Sequence, residues 1–494
     1  MTKKIADMSN YGILMILIGA MILFPLIVLP WYPTECGYAW SFLVPGGFSI
    51  LLGLLVCKFG KRESSYHGNW RMDVGRSSFI VLFAWGWGVL LGAMPLYLGQ
   101  HLTLVQSLFE AVSGWTTTGL SVMNVAETPQ IYLFHRSFMQ YCGGLGFIMM
   151  MIMFISNKHA MNLYSAEGHP DRIMPNIKKT AQAIFYIYNI CLVLGAGAYR
   201  IAGMNWFDGF CHSMCSLSTG GFSTKLNSIG EYNSFSIEFI TIVLMLIGTT
   251  NFAALILLAK GKVKSFVKVS EVRFMFLVLL VFIPVTAVSL SNGLHISFLE
   301  GLRKSAFDVI SALSTTGYST MSYASWPPFA IGVLILMMII GGGIGSTAGG
   351  MKLSRVYILL RTAKKNFMKK IRASRYVERE FYVKAAGKVP LDQETEEEAS
   401  TYLISYLLIY IVGSLLITVT ANCSLTEAMF DFASSLGTVG LSIGITNPMT
   451  NAPTLIIEMI GMLMGRLEIF IIFVGIVFGF NAVRKNVHKH MKRA

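Results

Sequence analysis

The stretch "STTGYS" at residues 314–319 places hydroxyl groups, a glycine and an aromatic ring in immediate succession between two apolar segments. The surrounding chain of 494 residues is 54% hydrophobic and only 13% charged. This composition is typical of a polytopic membrane protein, in which a polar segment between apolar ones requires a physical explanation.

Relatives of this stretch occur elsewhere in the chain, so that the pattern Thr-x-Gly-x-Ser is found four times. The other copies are "TTTGLS" at 116–121, "STGGFS" at 218–223 and "GTVGLS" at 437–442. Successive glycines of the pattern are 102, 96 and 123 residues apart. Because composition alone predicts well below one copy, the four segments indicate internal repeats.

Each copy lies in the same sequence context. An amphipathic stretch of about 12 residues precedes it, and a long apolar segment lies on either side. Twelve residues of helix extend about 18 Å, too short to cross a hydrocarbon core about 30 Å thick. The predicted unit is therefore a helix, a re-entrant pore helix, a filter segment and a second helix.

A polar filter segment at membrane depth must line water or protein, because each unpaired backbone group in lipid costs several kcal/mol. Four such segments around a pseudo-fourfold axis would turn their carbonyl oxygens toward a shared centre and form a pore. Glycine permits the positive φ that this requires, and the threonine two residues earlier adds a hydroxyl. The alternative is four turns in ordinary extracellular loops, which would not recur with a preceding half-helix.

A further repeated feature lies nine residues before each glycine, where Glu110, His212, Asp308 and Asp431 stand. Pore helices that enter from outside would aim their partially negative C-terminal ends at the centre of the membrane and stabilise a cation there. We expect the three carboxylates near the opposite ends of these helices, where a negative charge is favoured.

Ten apolar segments are long enough to cross a bilayer, at roughly 20 residues each. With residue 1 in the cytoplasm, 33 of the 39 Lys and Arg residues fall on cytoplasmic ends and loops. This is the positive-inside asymmetry, so the formal charge of +14 reflects topology and gives no indication of nucleic-acid binding. The predicted crossings are 11–29, 41–57, 77–98, 132–155, 182–202, 236–259, 273–291, 329–350, 401–421 and 454–480.

The four filter segments and their pore helices closely resemble those of the Trk, Ktr and HKT superfamily of potassium transporters, over about residues 77–480. The two additional N-terminal crossings make the TrkH-type (TrkH/TrkG) uptake subunit the nearest match. The resemblance implies a K⁺-translocating subunit of the bacterial inner membrane, with both termini cytoplasmic. It further implies a homodimer that is gated by a cytoplasmic TrkA-type nucleotide-binding regulatory subunit, with no organic cofactor in this chain.

The predicted fold is an all-α polytopic membrane protein with four pseudo-symmetric pore repeats and two extra N-terminal transmembrane helices. The corresponding domains are an N-terminal two-helix domain at 1–70, pore repeats 1, 2 and 3 at 71–160, 161–262 and 263–372, and a cytoplasmic linker with pore repeat 4 at 373–494.

The resemblance also implies which positions coordinate the ion. The second and fourth filters depart from the others, with Gly220 and Val439 where the first and third have threonine. A serine in place of the first filter glycine is associated with Na⁺ transport in this superfamily, so Gly119 favours K⁺. A Na⁺-permeable protein or an ion-coupled cation symporter of the same superfamily is the alternative. The implied positions are Thr117, Thr118, Gly119, Thr219, Gly220, Gly221, Thr315, Thr316, Gly317, Thr438, Val439 and Gly440.

A glycine-rich stretch, "GGGIGSTAGGMK" at 341–352, interrupts the second long helix of the third repeat. Six of its first ten residues are glycine, and each costs up to about 1 kcal/mol relative to alanine in a helix. The helix should break here and face a water-filled cavity below the filter. A helix-packing surface and a phosphate-binding loop are alternatives, although the second lacks a preceding strand and a complete motif. The resemblance places a gating loop here, with Gly343, Gly345, Ser346, Thr347, Gly349 and Gly350 as its residues.

Arg466 stands near the middle of the last apolar segment, where a charge costs at least about 2.5 to 3.5 kcal/mol. It is either a cation barrier beneath the filter that also holds the glycine-rich loop, or a structural ion pair with Glu458 or another acid. The superfamily carries an arginine at this place, which favours the first role and adds Arg466 to the gating residues.

The longest hydrophilic stretch, 352–400, begins basic and ends acidic. It is either a topology anchor that touches anionic lipid headgroups or a docking surface for a cytoplasmic regulator. An enzyme is a poor alternative to a transporter, because the nine histidines have no metal-ligand spacing and Ser346 has no evident base in its segment. A secondary transporter with broken helices would have two inverted halves, whereas these repeats run in the same direction.

Overall fold

The computed structural model of the chain describes residues 10–59, 70–154, 177–371 and 380–491. Within these ranges the regular secondary structure is helical apart from an antiparallel hairpin of Phe381–Lys384 with Gly387–Pro390, which confirms the predicted all-α class. Six helices of the described residues are long and apolar enough to cross a membrane, and two bent helix pairs also qualify if each pair is one span. The protein is thus a multi-pass membrane protein.

The N-terminal helices form a close pair before the repeats begin. Asn10–Leu23 continues into a short 3-10 turn, Phe24–Val28, and a second 3-10 turn at Pro33–Tyr38 leads into Ala39–Phe59. Glycines let the two backbones approach: a Cβ on Gly12 would lie 2.8 Å from the carbonyl oxygen of Gly53. Small residues at such contacts are the usual means of packing helices in lipid, where the hydrophobic effect gives no driving force.

Four units of similar construction follow, as the repeats predict. Their first helices are Trp70–Gly99, Ile177–Ile201, Ser270–Leu294 and Gln393–Ala421. Their pore helices are Leu104–Trp115, Trp206–Leu217, Phe298–Leu313 and Leu425–Gly437. Their second helices are Gln130–Leu145 with Phe147–Phe154, Phe235–Thr249 with Phe252–Ala259, Pro328–Ile340 with Leu353–Ile371, and Ala452–Arg466 with Ile469–Met491. Between the second and third units lies a short helix, Val263–Lys268, and further 3-10 turns are Ser228–Tyr232 and Tyr323–Ser325.

Each pore helix begins at a side-chain cap, which the sequence prediction missed. The cap oxygen accepts a hydrogen bond from the backbone N–H three residues later, at distances between 2.7 and 3.4 Å. Such caps satisfy one of the unpaired N–H groups at the start of a helix and so fix where these short helices begin. The four caps are Thr103, Asn205, Ser297 and Ser424.

The second helix of every unit is interrupted near its middle, whereas the sequence predicted a break only at the glycine-rich loop. The two halves meet at 113° in the second unit and at 101° in the fourth. In the first unit Gly146 separates the halves with φ of 83°, and in the second Asn251 caps the distal half through Ala253 N at 2.7 Å. The residues at these breaks lie within continuous apolar segments, and hydropathy averaged over such a segment does not reveal where the helix is interrupted.

Candidate ion pathway

The four filter segments form a closed ring, because the glycine of each filter packs against the backbone of the next. A Cβ placed on any of these glycines would lie about 2 Å from a neighbouring carbonyl oxygen, far inside van der Waals contact. The pairs are Gly119 with Gly220 O at 2.2 Å, Gly221 with Thr316 O at 1.9 Å, Gly317 with Val439 O at 1.9 Å, and Gly440 with Thr118 O at 2.2 Å. The last pair returns to the first filter, so the predicted arrangement around one axis is confirmed.

Left-handed backbone recurs at two positions in each filter. The glycines have φ of 97°, 75°, 80° and 97°, as their residue type predicts. The threonines two residues earlier are also left-handed, with φ of 56°, 52°, 56° and 51°, which the sequence gave no reason to expect. Left-handed conformation strains an L-residue by about 1 to 2 kcal/mol, so the surrounding structure must hold it. Because left-handed and right-handed backbone conformations alternate along the filter, successive carbonyl groups point toward the same side of the chain.

A serine of the pore helix holds the filter that follows it. Ser113 Oγ donates to the carbonyl oxygen of Leu120 at 2.6 Å and accepts from the N–H of Gly119 at 3.0 Å. Ser311 Oγ donates to the Tyr318 carbonyl at 2.6 Å, and Ser434 Oγ accepts from the N–H of Gly440 at 2.9 Å. The three serines lie six residues before the filter glycine of the first, third and fourth units, and Cys215 holds that place in the second.

The residues nine positions before each glycine bind the segment that leaves the filter. The carboxylate of Glu110 accepts hydrogen bonds from Ser121 Oγ at 2.7 Å and from the N–H of Val122 at 2.6 Å. Asp431 accepts from Ser442 Oγ at 2.7 Å, Asp308 accepts from Thr320 Oγ1 at 2.6 Å, and His212 Nε2 lies 3.0 Å from Ser223 Oγ. The expectation that these acids lie near the helix starts is wrong, because Glu110 is the seventh residue of its 12-residue helix.

The carboxylate of Glu110 has a buried counter-ion in Arg136, which lies in the second helix of the same unit. Arg136 Nε is 3.0 Å from Glu110 Oε2, and its NH2 group donates to Ser121 Oγ at 2.7 Å. Its guanidinium lies over the ring of Phe222, 4.0 Å from the centroid, and therefore touches the second filter segment. The side chain of Arg136 is itself buried.

The glycine-rich loop lies directly beneath the ring and touches three of its filters. The N–H of Gly349 donates to Thr315 Oγ1 at 2.8 Å, and Thr347 Oγ1 is 3.0 Å from Thr219 Oγ1. A Cβ on Gly349 would lie 2.0 Å from Thr438 Oγ1. The contacts are made by the threonines that follow the pore helices, so the loop meets the deep end of the filters.

The break in the second helix of the second unit anchors this loop. Thr347 Oγ1 donates to the carbonyl oxygen of Gly248 at 2.9 Å, and the N–H of Gly343 donates to that of Thr249 at 3.0 Å. Asn251 Nδ2 donates to the carbonyl oxygen of Ile344 at 2.6 Å. The interrupted helices thus expose backbone carbonyls that hold non-helical chain at membrane depth, as such chain requires.

The remaining predicted gating residues shape the loop itself. The carbonyl oxygen of Gly345 accepts from the N–H of Phe252 at 3.0 Å, and Ser346 Oγ donates to the carbonyl of Gly343 at 2.7 Å. Gly345 and Gly350 have φ of 62° and 74°, which suits glycine. A helix-packing surface is therefore the wrong interpretation, since these residues form an irregular loop.

Arg466 connects the loop to the first unit. Its NH1 group donates to the carbonyl oxygen of Thr347 at 2.5 Å, and its NH2 group donates to those of Gly143 at 2.6 Å and Gly144 at 3.2 Å. Glu458 lies eight residues earlier on the same helix, about 12 Å along the axis, and accepts from Thr446 Oγ1 at 2.8 Å. These contacts favour the role in which Arg466 holds the loop.

Gln140, whose amide bonds the second filter, is among the polar residues of the site that the sequence did not predict. Its Nε2 donates to the carbonyl oxygen of Gly220 at 2.5 Å. The available signal was a glutamine within an apolar membrane segment, a placement that is costly without a partner.

The geometry defines a multi-pass membrane protein in which four re-entrant filter segments close a ring above an intramembrane loop. Comparison with known proteins gives the family. The chain belongs to the TrkH family of cation transport proteins, whose family model matches residues 54–478. It is accordingly a transport protein and not an enzyme.

Individual relatives cover most of the chain. The "Trk system potassium uptake protein TrkH" of Halomonas elongata is 31% identical over 414 residues, covering 81% of this chain and 84% of the relative. The protein of the same description from Vibrio parahaemolyticus is 29% identical over 484 residues, covering 94% and 96%. The crystal structure of the potassium transporter TrkH from Vibrio parahaemolyticus matches with a TM-score of 0.81 at 26% identity, covering 96% of this chain and 98% of that one.

Proposed function

We propose that this protein is the K⁺-translocating subunit of a Trk-type uptake system and that K⁺ passes through the ring of four filters. The observation that carries the proposal is the ring closure, in which Gly440 packs against Thr118 just as Gly119 packs against Gly220. Relatives described as potassium uptake proteins support the identity of the ion. K⁺ is the cargo in this proposal, and we expect no organic cofactor in this chain.

The filter residues would replace the hydration shell of the ion. Alternating backbone handedness aligns successive carbonyls, and the threonines contribute hydroxyls at the deep end. The four pore helices end at the filters, so their partially negative C-termini stabilise a cation below the ring. Gly119 in the first filter favours K⁺ over Na⁺ on the resemblance to the superfamily, and an ion-coupled or Na⁺-permeable relative is the alternative.

The glycine-rich loop and Arg466 would form the gate. The loop touches the second, third and fourth filters, and Arg466 extends its contacts to the first unit, so the two together reach across the pathway. A guanidinium beneath the filter repels a cation, and its hydrogen bonds to backbone carbonyls hold the loop in place. Opening requires that these bonds break and the loop move aside.

The proposal extends to the location and the assembly of the protein. We place the protein in the bacterial inner membrane with both termini cytoplasmic, on the distribution of its Lys and Arg residues. We also propose a homodimer, a cytoplasmic TrkA-type nucleotide-binding partner, and the division into an N-terminal two-helix domain and four pore repeats. The relatives' description as parts of a "Trk system" supports a partner. The basic helix Leu353–Ile371, whose Lys365 pairs with Glu396 at 2.5 Å, faces that side.

Ion uptake by the purified protein in lipid vesicles tests the proposal. Radioactive Rb⁺, as a K⁺ substitute, should enter vesicles that contain the protein, and excess external K⁺ should compete more strongly than excess Na⁺. Reversal of the current at the K⁺ equilibrium potential would indicate a channel, whereas a shift with the proton or Na⁺ gradient would indicate coupled transport. Equal competition by Na⁺ and K⁺ would refute the K⁺ assignment.

A further inference from the structure

Gln140, in the second helix of the first unit, clamps the filter of the second unit. Its Nε2 donates to the carbonyl oxygen of Gly220 at 2.5 Å, and its Oε1 accepts from the N–H of Phe222 at 3.0 Å. The side chain is fully buried. A single amide thus fixes the filter backbone on both sides of Gly221.

The position of Gln140 explains why the second filter has glycine where others carry a side chain. A Cβ on Gly220 would lie 2.4 Å from both Cδ and Oε1 of Gln140. At the same place in the first and third filters, Thr118 and Thr316 bond the hydroxyl two residues earlier at 2.7 and 2.8 Å. Gln140 therefore fills the space of the missing threonine and braces the filter in its stead.

Comparison of equivalent positions in the repeated units shows that Gln140 differs in residue type from its counterparts. In three units a glycine of the second helix packs on the carbonyl at the end of the pore helix, which fixes equivalent positions. These glycines are Gly143, Gly248 and Gly465. A Cβ added to each would lie 2.0, 2.4 and 1.9 Å from that carbonyl oxygen, respectively. Three residues before them stand Gln140, Met245 and Met462, all of them buried. Methionine cannot donate a hydrogen bond, so only the first unit braces its neighbour in this way among these three.

We propose that Gln140 is a positioning residue that sets the preference for K⁺ over Na⁺ by holding the Gly220 and Gly221 backbone rigid. The inference rests on the proposed function, in which the four filters coordinate the ion. Two consecutive glycines make the second filter the most pliable of the four. A pliable filter contracts around the smaller Na⁺, whereas carbonyls held at fixed spacing replace the hydration shell of K⁺. The amide supplies the stiffness that the two glycines lack.

The test replaces Gln140 with the residue found in the second and fourth units. In vesicles, Gln140→Met removes both hydrogen bonds and should lower the K⁺ to Na⁺ permeability ratio about fivefold, which corresponds to about 1 kcal/mol. The double variant Gln140→Met with Gly220→Thr recreates the Ser-Thr-Thr-Gly pattern of the third filter and should restore the ratio to within about twofold of the wild type. Gly220→Thr alone should fail to fold, because its Cβ collides with Gln140.

The outcomes separate this inference from the proposed function. Wild-type K⁺ selectivity with an unchanged ratio in folded Gln140→Met protein overturns the role of Gln140 and leaves the K⁺ pathway standing. A ratio that stays low in the double variant also contradicts the inference. Absence of K⁺ flux in the wild type overturns both proposals. If Gln140→Met does not fold, Gln140→Asn replaces it in the test. Its shorter amide cannot reach both backbone groups, so the permeability ratio should fall. An unchanged ratio in Gln140→Asn overturns the inference.

Discussion

Arg466 donates a hydrogen bond from its NH1 group to the carbonyl oxygen of Thr347 at 2.5 Å, across 119 residues of sequence. The same guanidinium bonds the first unit through Gly143. One positive charge thus ties the intramembrane loop to the break in another unit's helix. Since the loop also bonds the deep ends of the filters, its position depends on this arginine.

Removal of the Arg466 guanidinium should open the pathway. A charge-assisted hydrogen bond contributes about 1.5 to 3 kcal/mol, so Arg466→Ala should raise Rb⁺ uptake without a partner by about tenfold or more. The measurement is the initial uptake rate in vesicles, normalised to folded protein. Arg484→Ala, at an exposed position near the end of the last helix, is the matched control and should have the wild-type rate. Lower folded yield with normal uptake per molecule would instead assign Arg466 a structural role.

Shortening of the glycine-rich loop gives a second test of the gate. Deletion of 343–349 removes the contacts with Thr219, Thr315 and Thr438, and basal K⁺ flux should rise. Thr347→Val, which loses only the hydroxyl bonds, should raise the flux by a smaller factor. Thr401→Val, an exposed threonine on a helix, serves as its control. Unchanged flux in both loop variants would contradict the gating assignment.

A filter glycine should tolerate no side chain. Gly317 has φ of 80°, and a Cβ there would lie 1.9 Å from the carbonyl oxygen of Val439, so Gly317→Ala should abolish K⁺ uptake. Gly332 belongs to the second helix of the same unit and has open space around the Cβ position, so Gly332→Ala should transport normally. Uptake that survives in Gly317→Ala would place the pathway elsewhere.

The ion pair behind the first filter should stabilise the fold. Arg136→Met leaves the buried carboxylate of Glu110 without its counter-ion, and removal of one partner of such a pair costs about 3 to 5 kcal/mol. Thermal unfolding in detergent should therefore begin at a much lower temperature. The double variant Glu110→Gln with Arg136→Met should recover part of the loss, because no unpaired charge remains. Equal unfolding temperatures for the wild type and Arg136→Met would show that the pair is energetically neutral.

The sequence predicted the architecture well because the repeats carry redundant information. Four copies of Thr-x-Gly-x-Ser at similar intervals, each after a half-length helix, predicted the ring that Gly119 and Gly440 close. The glycine-rich loop was predictable because glycine has a known helix cost. Both conclusions depend on local residue types.

What the sequence did not predict depends on tertiary contacts. The left-handed φ of 56° at Thr117 is a conformation that no propensity scale predicts for a threonine. The break after Thr249 is stabilised by the loop from the third unit, which no window of local sequence contains. Gln140 reaches the filter of a different repeat, 80 residues away, so its role became visible only with the fold.

We infer that the ion passes along the axis enclosed by Gly119, Gly221, Gly317 and Gly440. The most direct measurement is anomalous X-ray scattering from crystals of the protein grown in Rb⁺. We expect anomalous peaks on that axis, beside the filter carbonyls, that disappear when Na⁺ replaces Rb⁺. Rb⁺ sites confined to positions outside the ring, in protein that transports Rb⁺, would contradict it.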